Sequence, residues 1–244
     1  MARYRAIVEY DGTDFAGFQR QAQGRTVQAV LEEALRRMGW LGRSLLAAGR
    51  TDAGVHAAGQ VIAFDLDWAH GTDALVRALN ANLPQDVAAT AAAVSAPGFH
   101  PRFDAKARRY RYTINNAPVR SALRARYTWH VRTRLDIPAM QSASRHVLGT
   151  HDFAAFGTDP DEGGNTVRTV SLAAWSASGD EVYFDIQAEA FLYRMVRRLV
   201  GALRQVGAGE MTAEAFGALL ATRDRSQCPA LAPPQGLCLM EVLY

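Results

Sequence analysis

Cysteine is almost absent from this 244-residue chain: Cys228 and Cys238 are the only two. Two thiols make no disulfide framework and no CxxC pair exists, so the chain reads as a reduced, cytoplasmic protein. Lysine is scarcer still, with Lys106 alone among 27 basic residues. No apolar run approaches the ~18 residues of a membrane span, and no membrane association is expected. Residues 2–10 alternate as a strand does and lack the long apolar centre of a secretory signal. GxxxxGK[ST], GxSxG and GxGxxG are all missing, which argues against ATP-driven, serine-hydrolase and hydride-transfer chemistry. Histidines 56, 70, 100, 130, 146 and 151 show no metal-ligand spacing, so neither a metal nor a cofactor is expected. What remains is acid–base or nucleophilic chemistry by side chains alone.

With 49% hydrophobic and 21% charged residues the composition is that of a globular protein. Net charge is +3 and the isoelectric point about 9.1, a mild basic bias compatible with a polyanionic partner. The preference for arginine fits either a GC-rich coding sequence or selection for bidentate phosphate contacts. Composition does not separate the two.

The spacing predicts a strand over 3–10, closed by the turn dipeptide Asp11-Gly12. Thr26 is placed to cap a helix whose stripe is Val27, Val30, Leu31, Ala34, Leu35 and Met38. Leu45 and Leu46 sit in a short strand. Ile62, Phe64 and Leu66 alternate with Ala63 and Asp65, predicting a strand with one buried face. A second helix starts at Thr72 and is stopped by Pro84, and a strand covers 87–94. This βαββαβ order is ferredoxin-like. The second half predicts strands at 107–115, 126–132, 167–177, 181–189 and 237–243, and helices at 137–147, 192–206 and 212–221. The stretch 149–167 reads as a loop, and 228–236 as a proline-rich connector. The expectation is an α+β protein of two pseudo-symmetric ferredoxin-like halves, 1–104 and 105–244, with mainly antiparallel sheets and a central RNA-binding cleft.

The stretch "AAGRTDAGVHAAGQVIAF" at 47–64 is flexible and polar at its front and a strand at its end. Arg50 and Asp52 stand two residues apart among glycines. One reading is a turn in which Asp52 bonds its own backbone. The other is a rigid turn that aims an ionised carboxylate outward, with Arg50 beside it to grip an anion. The string G-R-T-D-x-G-V-H-A-x-x-Q closely resembles the active-site motif of the tRNA pseudouridine synthase A family. Residues 9–35, 99–114, 189–203 and 232–239 resemble further family segments in order, so the likeness covers nearly the whole chain.

The resemblance implies a cofactor-free isomerisation of uridine at positions 38, 39 and 40 of the tRNA anticodon stem-loop, by a homodimer. It makes Asp52 the catalytic carboxylate, which either attacks C1′ or takes a proton from C2′. Arg50 would displace the base and hold the flipped nucleotide, Tyr110 would stack on the uracil, and Arg197 would pair with Asp52. Periodicity alone does not single out Arg197, which lies off its helix's apolar stripe beside Arg194 and Arg198 and reads equally as a solvated face. Likewise Tyr110, on a strand face with Arg108, Tyr112 and Ile114, reads equally as a packing residue. The chain departs from many relatives at Phe18, where they carry Trp, and at Glu189, where they carry Asn. The basic run containing Arg102, Lys106, Arg108, Arg109 and Arg111, with Arg120, Arg124 and Arg126, suits phosphate contacts along RNA. An RNA-recognition module would need an aromatic RNP1 string, which is missing. A glycoside hydrolase would need a second catalytic carboxylate, and only Asp52 carries a motif.

Overall fold

Alternation of apolar and polar residues builds strands, and a 3.6-residue apolar period builds helices; both signals are strong here. A computed structural model of the chain describes residues 1–159, 164–229 and 231–244. The first elements are β1 (Ala2–Tyr10), α1 (Val27–Arg37), β2 (Leu46–Ala47), β3 (His56–Leu66), α2 (Thr72–Asn82) and β4 (Val87–Val94). They are followed by β5 (Ala107–Asn115), β6 (Trp129–His130), α3 (Ile137–Ser144), β7 (Gly149–Asp152), β8 (Val167–Ser178) and β9 (Glu181–Ala188). The last are α4 (Met195–Gly207), α5 (Ala213–Thr222) and β10 (Leu237–Leu243). The protein is thus a mixed α+β chain, and its sheet pairings are mainly antiparallel. No described helix is long and apolar enough to cross a membrane.

Two compact units emerge: Met1–Lys106 with Cys238–Tyr244, and Ala107–Leu237. In the first, β1 lies between β4 and β3, antiparallel to both. β2 pairs antiparallel with Ile62 and Ala63 of β3, while β10 pairs in parallel with His56 and Ala57 of the same strand. With three strands against it, β3 is buried on both faces from Gly59 to Phe64, not on one. α1 is capped by the Thr26 hydroxyl, which accepts from Ala29 N–H at 3.4 Å. Its buried face is Val27, Gln28, Leu31, Glu32, Ala34 and Leu35, so two polar residues replace Val30 and Met38 of the expected stripe.

In the second unit β9 lies between β5 and β8, antiparallel to both, and β7 adds to the outer side of β8. The residues Gly149–Asp152, expected as loop, form β7 because β8 supplies a ladder that compensates for weak strand propensity. Residues 160–163 of that stretch and Ala230 of the connector lie outside the described residues. The strand expected over 126–132 shrinks to β6, because Arg124–Tyr127 close a turn with Tyr127 N–H on Arg124 O at 3.0 Å. Tyr112, Phe153, Phe156, Phe184 and Phe216 are fully buried in this unit, each contributing roughly 1.5–3 kcal/mol by burial.

Candidate active site

The segment Gly49–Gly54 joins β2 to β3, and its shape is set by neighbours that are themselves pinned. Thr51 is buried, and its hydroxyl shares a 2.8 Å hydrogen bond with the Tyr10 hydroxyl at the end of β1. Its carbonyl accepts from Phe18 N–H at 3.0 Å. The Asp52 carbonyl accepts from Val55 N–H at 3.1 Å, and Gly54 N–H donates to Phe15 O at 3.3 Å. Gly54 has φ 76°, a left-handed conformation that suits glycine. Main-chain bonds on both sides of Asp52 therefore hold the turn.

The residues at the far end of the motif turn inward. His56 is buried, and its Nδ1 accepts from Gly12 N–H at 3.0 Å. The same nitrogen lies 3.2 Å from Asp11 Oδ1. Gln60, fully buried, donates from Nε2 to Gly49 O at 3.1 Å. Thr51, Val55, His56 and Gln60 are scaffold, whereas Arg50 is exposed and Asp52 half-buried. The two charged residues of the motif thus keep access to solvent while their neighbours anchor the turn.

A second layer supports this one. Glu32 has no exposed surface, and a buried carboxylate costs several kcal/mol unless it is paired and hydrogen-bonded. It accepts from Arg20 at 2.7 Å, Gln28 Nε2 at 2.9 Å, Leu45 N–H at 3.2 Å and Arg36 at 3.3 Å. Gln28 in turn accepts from Arg20 N–H through its side chain and donates its own N–H to Phe18 O. Phe18, whose N–H holds Thr51, is thereby fixed from α1. Polar residues at 28 and 32, on the face the helix buries, were the signal for this network in the sequence.

Removing the Tyr10 hydroxyl tests the first layer. Tyr10→Phe leaves the buried Thr51 hydroxyl without that partner, which costs about 1–3 kcal/mol. The expected result is a lower thermal midpoint; a midpoint equal to wild type would show that this bond does not anchor the turn.

The remaining sequence-designated residues divide between the units. Arg102 and Lys106 are exposed in the first, and the Arg102 guanidinium lies 5.7 Å over the Phe103 ring. In the second, Tyr110 is half-buried on β5, edge-on to Phe191 with ring centroids 5.2 Å apart. Arg108 donates to Glu189 O at 2.6 Å. Arg109 is half-buried, with no hydrogen-bond partner at its buried Nε. Arg111 grips Asp185, its cross-strand neighbour, through two bonds of 3.0 and 2.8 Å. Arg197 is only 8% exposed, which removes the reading of a solvated basic face at this position. Its Nε donates to Ala232 O at 2.8 Å, while the Tyr112 hydroxyl donates to the next carbonyl, Pro233 O, at 2.8 Å. Burial drives the Tyr112 phenol well above its ordinary range, against the pull of nearby Arg197, so this tyrosine stays protonated.

A carboxylate on a clamped turn beside an exposed arginine is a candidate for side-chain chemistry, and comparison with known proteins identifies the family to which the chain belongs. The profile of the tRNA pseudouridine synthase family matches residues 6–104 and 143–244, and the chain belongs to that family. It is 42% identical to tRNA pseudouridine synthase A of Shouchella clausii (strain KSM-K16), across 100% of this chain and 94% of that protein. It is 45% identical to tRNA pseudouridine synthase A of Syntrophotalea carbinolica, across 100% of this chain and 97% of the other. Against the same enzyme of Pelobacter propionicus it is 44% identical, with both chains covered in full.

Proposed function

We propose that this chain isomerises uridine to pseudouridine at positions 38, 39 and 40 of the tRNA anticodon stem-loop, with Asp52 as the catalytic carboxylate. The observation that carries the reading is the Gly49–Gly54 turn, clamped by buried partners and offering Asp52 and Arg50 in a chain of the pseudouridine synthase family. The enzyme is an isomerase acting on tRNA. The N1–C1′ bond breaks, the uracil turns, C5 bonds to C1′, C5 gives up its proton and N1 ends protonated. Atoms and electrons balance within the substrate, so side chains suffice and no cofactor is required.

The target uridine must leave the base stack, at a cost of a few kcal/mol. We assign Arg50 to displacing the base and holding the flipped nucleotide, Tyr110 to stacking on the uracil, and Arg197 to the counter-charge of Asp52. Asp52 acts either on C1′ as nucleophile or on the C2′ proton as base. Arg102, Lys106, Arg108, Arg109 and Arg111 are assigned to the RNA, with Arg111 sharing its fork with Asp185. The orders β1-α1-β2-β3-α2-β4 and, with the short strands β6 and β7 inserted into it and α5 following, β5-α3-β8-β9-α4 support a reading of two related ferredoxin-like halves, since β3 lies beside β1 and β9 beside β5. A cytoplasmic homodimer completes the proposal.

The test is pseudouridine mapping on an unmodified tRNA transcript with uridines at 38–40 and no added cofactor. Conversion at those positions is expected. Release of free uracil would instead mark a glycoside hydrolase, and binding without conversion a non-catalytic RNA-binding protein.

Affinity resting on phosphate contacts falls steeply with salt, because each neutralised phosphate releases counterions. The logarithm of Kd for tRNA is therefore expected to rise linearly with the logarithm of salt concentration, with a slope of several units. A flat titration would remove the basic run 102–126 from the RNA-binding surface.

A further inference from the structure

The second unit holds a group of arginines that the isomerisation does not use. Arg194 immediately precedes α4 at φ 63° and ψ 10°, the left-handed region that residues with a Cβ avoid and that clusters at functional positions. Its guanidinium lies 4.7 Å over the ring of Tyr193, which is 48% exposed. Tyr193 N–H donates to Thr158 O at 2.9 Å, and the two residues form an antiparallel bridge. The approach depends on Gly157, where a Cβ would meet the Leu192 Cβ at 2.4 Å. This bridge also explains why α4 starts at Met195 and not at 192.

One turn along α4, Arg198 is half-buried and its buried Nη1 has no hydrogen-bond partner. Arg225 opens a 3-10 turn, Arg225–Gln227, and lines a cavity of about 690 Å³ together with Thr158, Arg223 and Ser226. The two acids among the described residues that line it are already committed. Asp224 accepts from Ser226 N–H, Ser226 Oγ and Gln227 Nε2, and Asp159 accepts from Arg168 at 3.0 Å. No carboxylate among the described residues pairs with Arg194, Arg198 or Arg225. Burial, together with repulsion from Arg225, Arg194 and Arg197, holds the Arg198 guanidinium below its ordinary range. The group that would offset this is the Cys228 thiol, but burial pushes it up to about 11, so at neutral pH it is uncharged. Among the described residues, the cluster therefore has no counter-anion of its own.

We propose that Arg194, Arg198 and Arg225 form a binding site for a backbone phosphodiester of the tRNA. Guanidinium forks match phosphate oxygens bidentately, and an anion placed among them relieves their mutual repulsion. This site rests on the reading of the chain as a tRNA-modifying isomerase and adds a contact that its motifs do not contain.

Unmodified tRNA transcript would be titrated against wild type and an Arg194→Gln/Arg225→Gln double variant across a salt series, with pseudouridine mapped in the wild-type samples. The expected result is a Kd about tenfold higher in the variant, with a salt slope shallower by about one. Its thermal midpoint should equal or exceed that of wild type, because like charges have been removed. A midpoint that falls in step with affinity would make the arginines structural and overturn the site. Wild-type conversion with unchanged variant affinity and slope would overturn the site alone. A wild type that neither binds nor converts tRNA would overturn both readings.

Discussion

Asp52→Asn is expected to lower pseudouridine formation by about 10²–10⁴-fold or more while tRNA binding stays close to wild type. The amide keeps the size and planarity of the carboxylate but can neither attack C1′ nor take a proton from C2′. The turn itself should survive, since the bonds that flank the residue run through the main chain: Thr51 O to Phe18 N–H, Asp52 O to Val55 N–H, Phe15 O to Gly54 N–H. Three readouts from one preparation separate the alternatives: single-turnover conversion, Kd for unmodified tRNA, and thermal midpoint. An active variant would remove Asp52 from the chemistry. Loss of activity together with a large fall in midpoint would make the carboxylate a structural element.

Gly12→Ala should damage the same turn from behind. A Cβ at Gly12 would stand 2.0 Å from Val55 O and 2.5 Å from its carbonyl carbon, both main-chain atoms that cannot swing aside. The chain must separate there, and the Gly12 N–H bond to His56 Nδ1 goes with it. Overpacking of this kind costs about 1–3 kcal/mol, and the lost buried hydrogen bond about 1 kcal/mol more. A displacement of ~1 Å at a reacting group can cost about 10²-fold in rate. The expectation is therefore a lower midpoint and, at a temperature where the variant is fully folded, a fall in kcat/KM beyond what unfolding explains. Gly98→Ala, with open space around the added carbon, serves as the control. Wild-type activity in Gly12→Ala would mean that the packing of residue 12 against 55 does not set the position of Asp52.

Much of this was legible in the sequence because it rests on local periodicity. β4, β5, β9, β10 and α5 fall within a residue or so of where alternation or helical spacing puts them. The misplacements occur where tertiary contacts override local preference. β7 borrows its ladder from β8, α4 loses its first turn to the Thr158–Tyr193 bridge, and α1 buries Gln28 and Glu32 because each has partners from outside the helix. The site divides in the same way. A contiguous motif marks Arg50 and Asp52, but nothing local to it announces Tyr10, Phe18 or Gly12. In the basic run the sequence treats Arg109 and Arg111 alike, and only the register of β5 on β9 reveals that Asp185 lies opposite Arg111.

The pairing of β10 with β3 has a consequence for how the chain matures. The first 106 residues emerge from the ribosome early, but their unit also includes Cys238–Tyr244. All of the second unit must be synthesised before β3 receives its parallel neighbour, so a nascent chain halted within residues 107–237 would hold a first unit with an unpaired strand edge beside the Asp52 turn. Such an edge is a template for pairing with other chains, and long-range pairings of this kind form slowly. The turn that carries the proposed chemistry therefore gains its last neighbouring strand only after the whole second unit has been made, a built-in delay during which unfinished chains are exposed to aggregation.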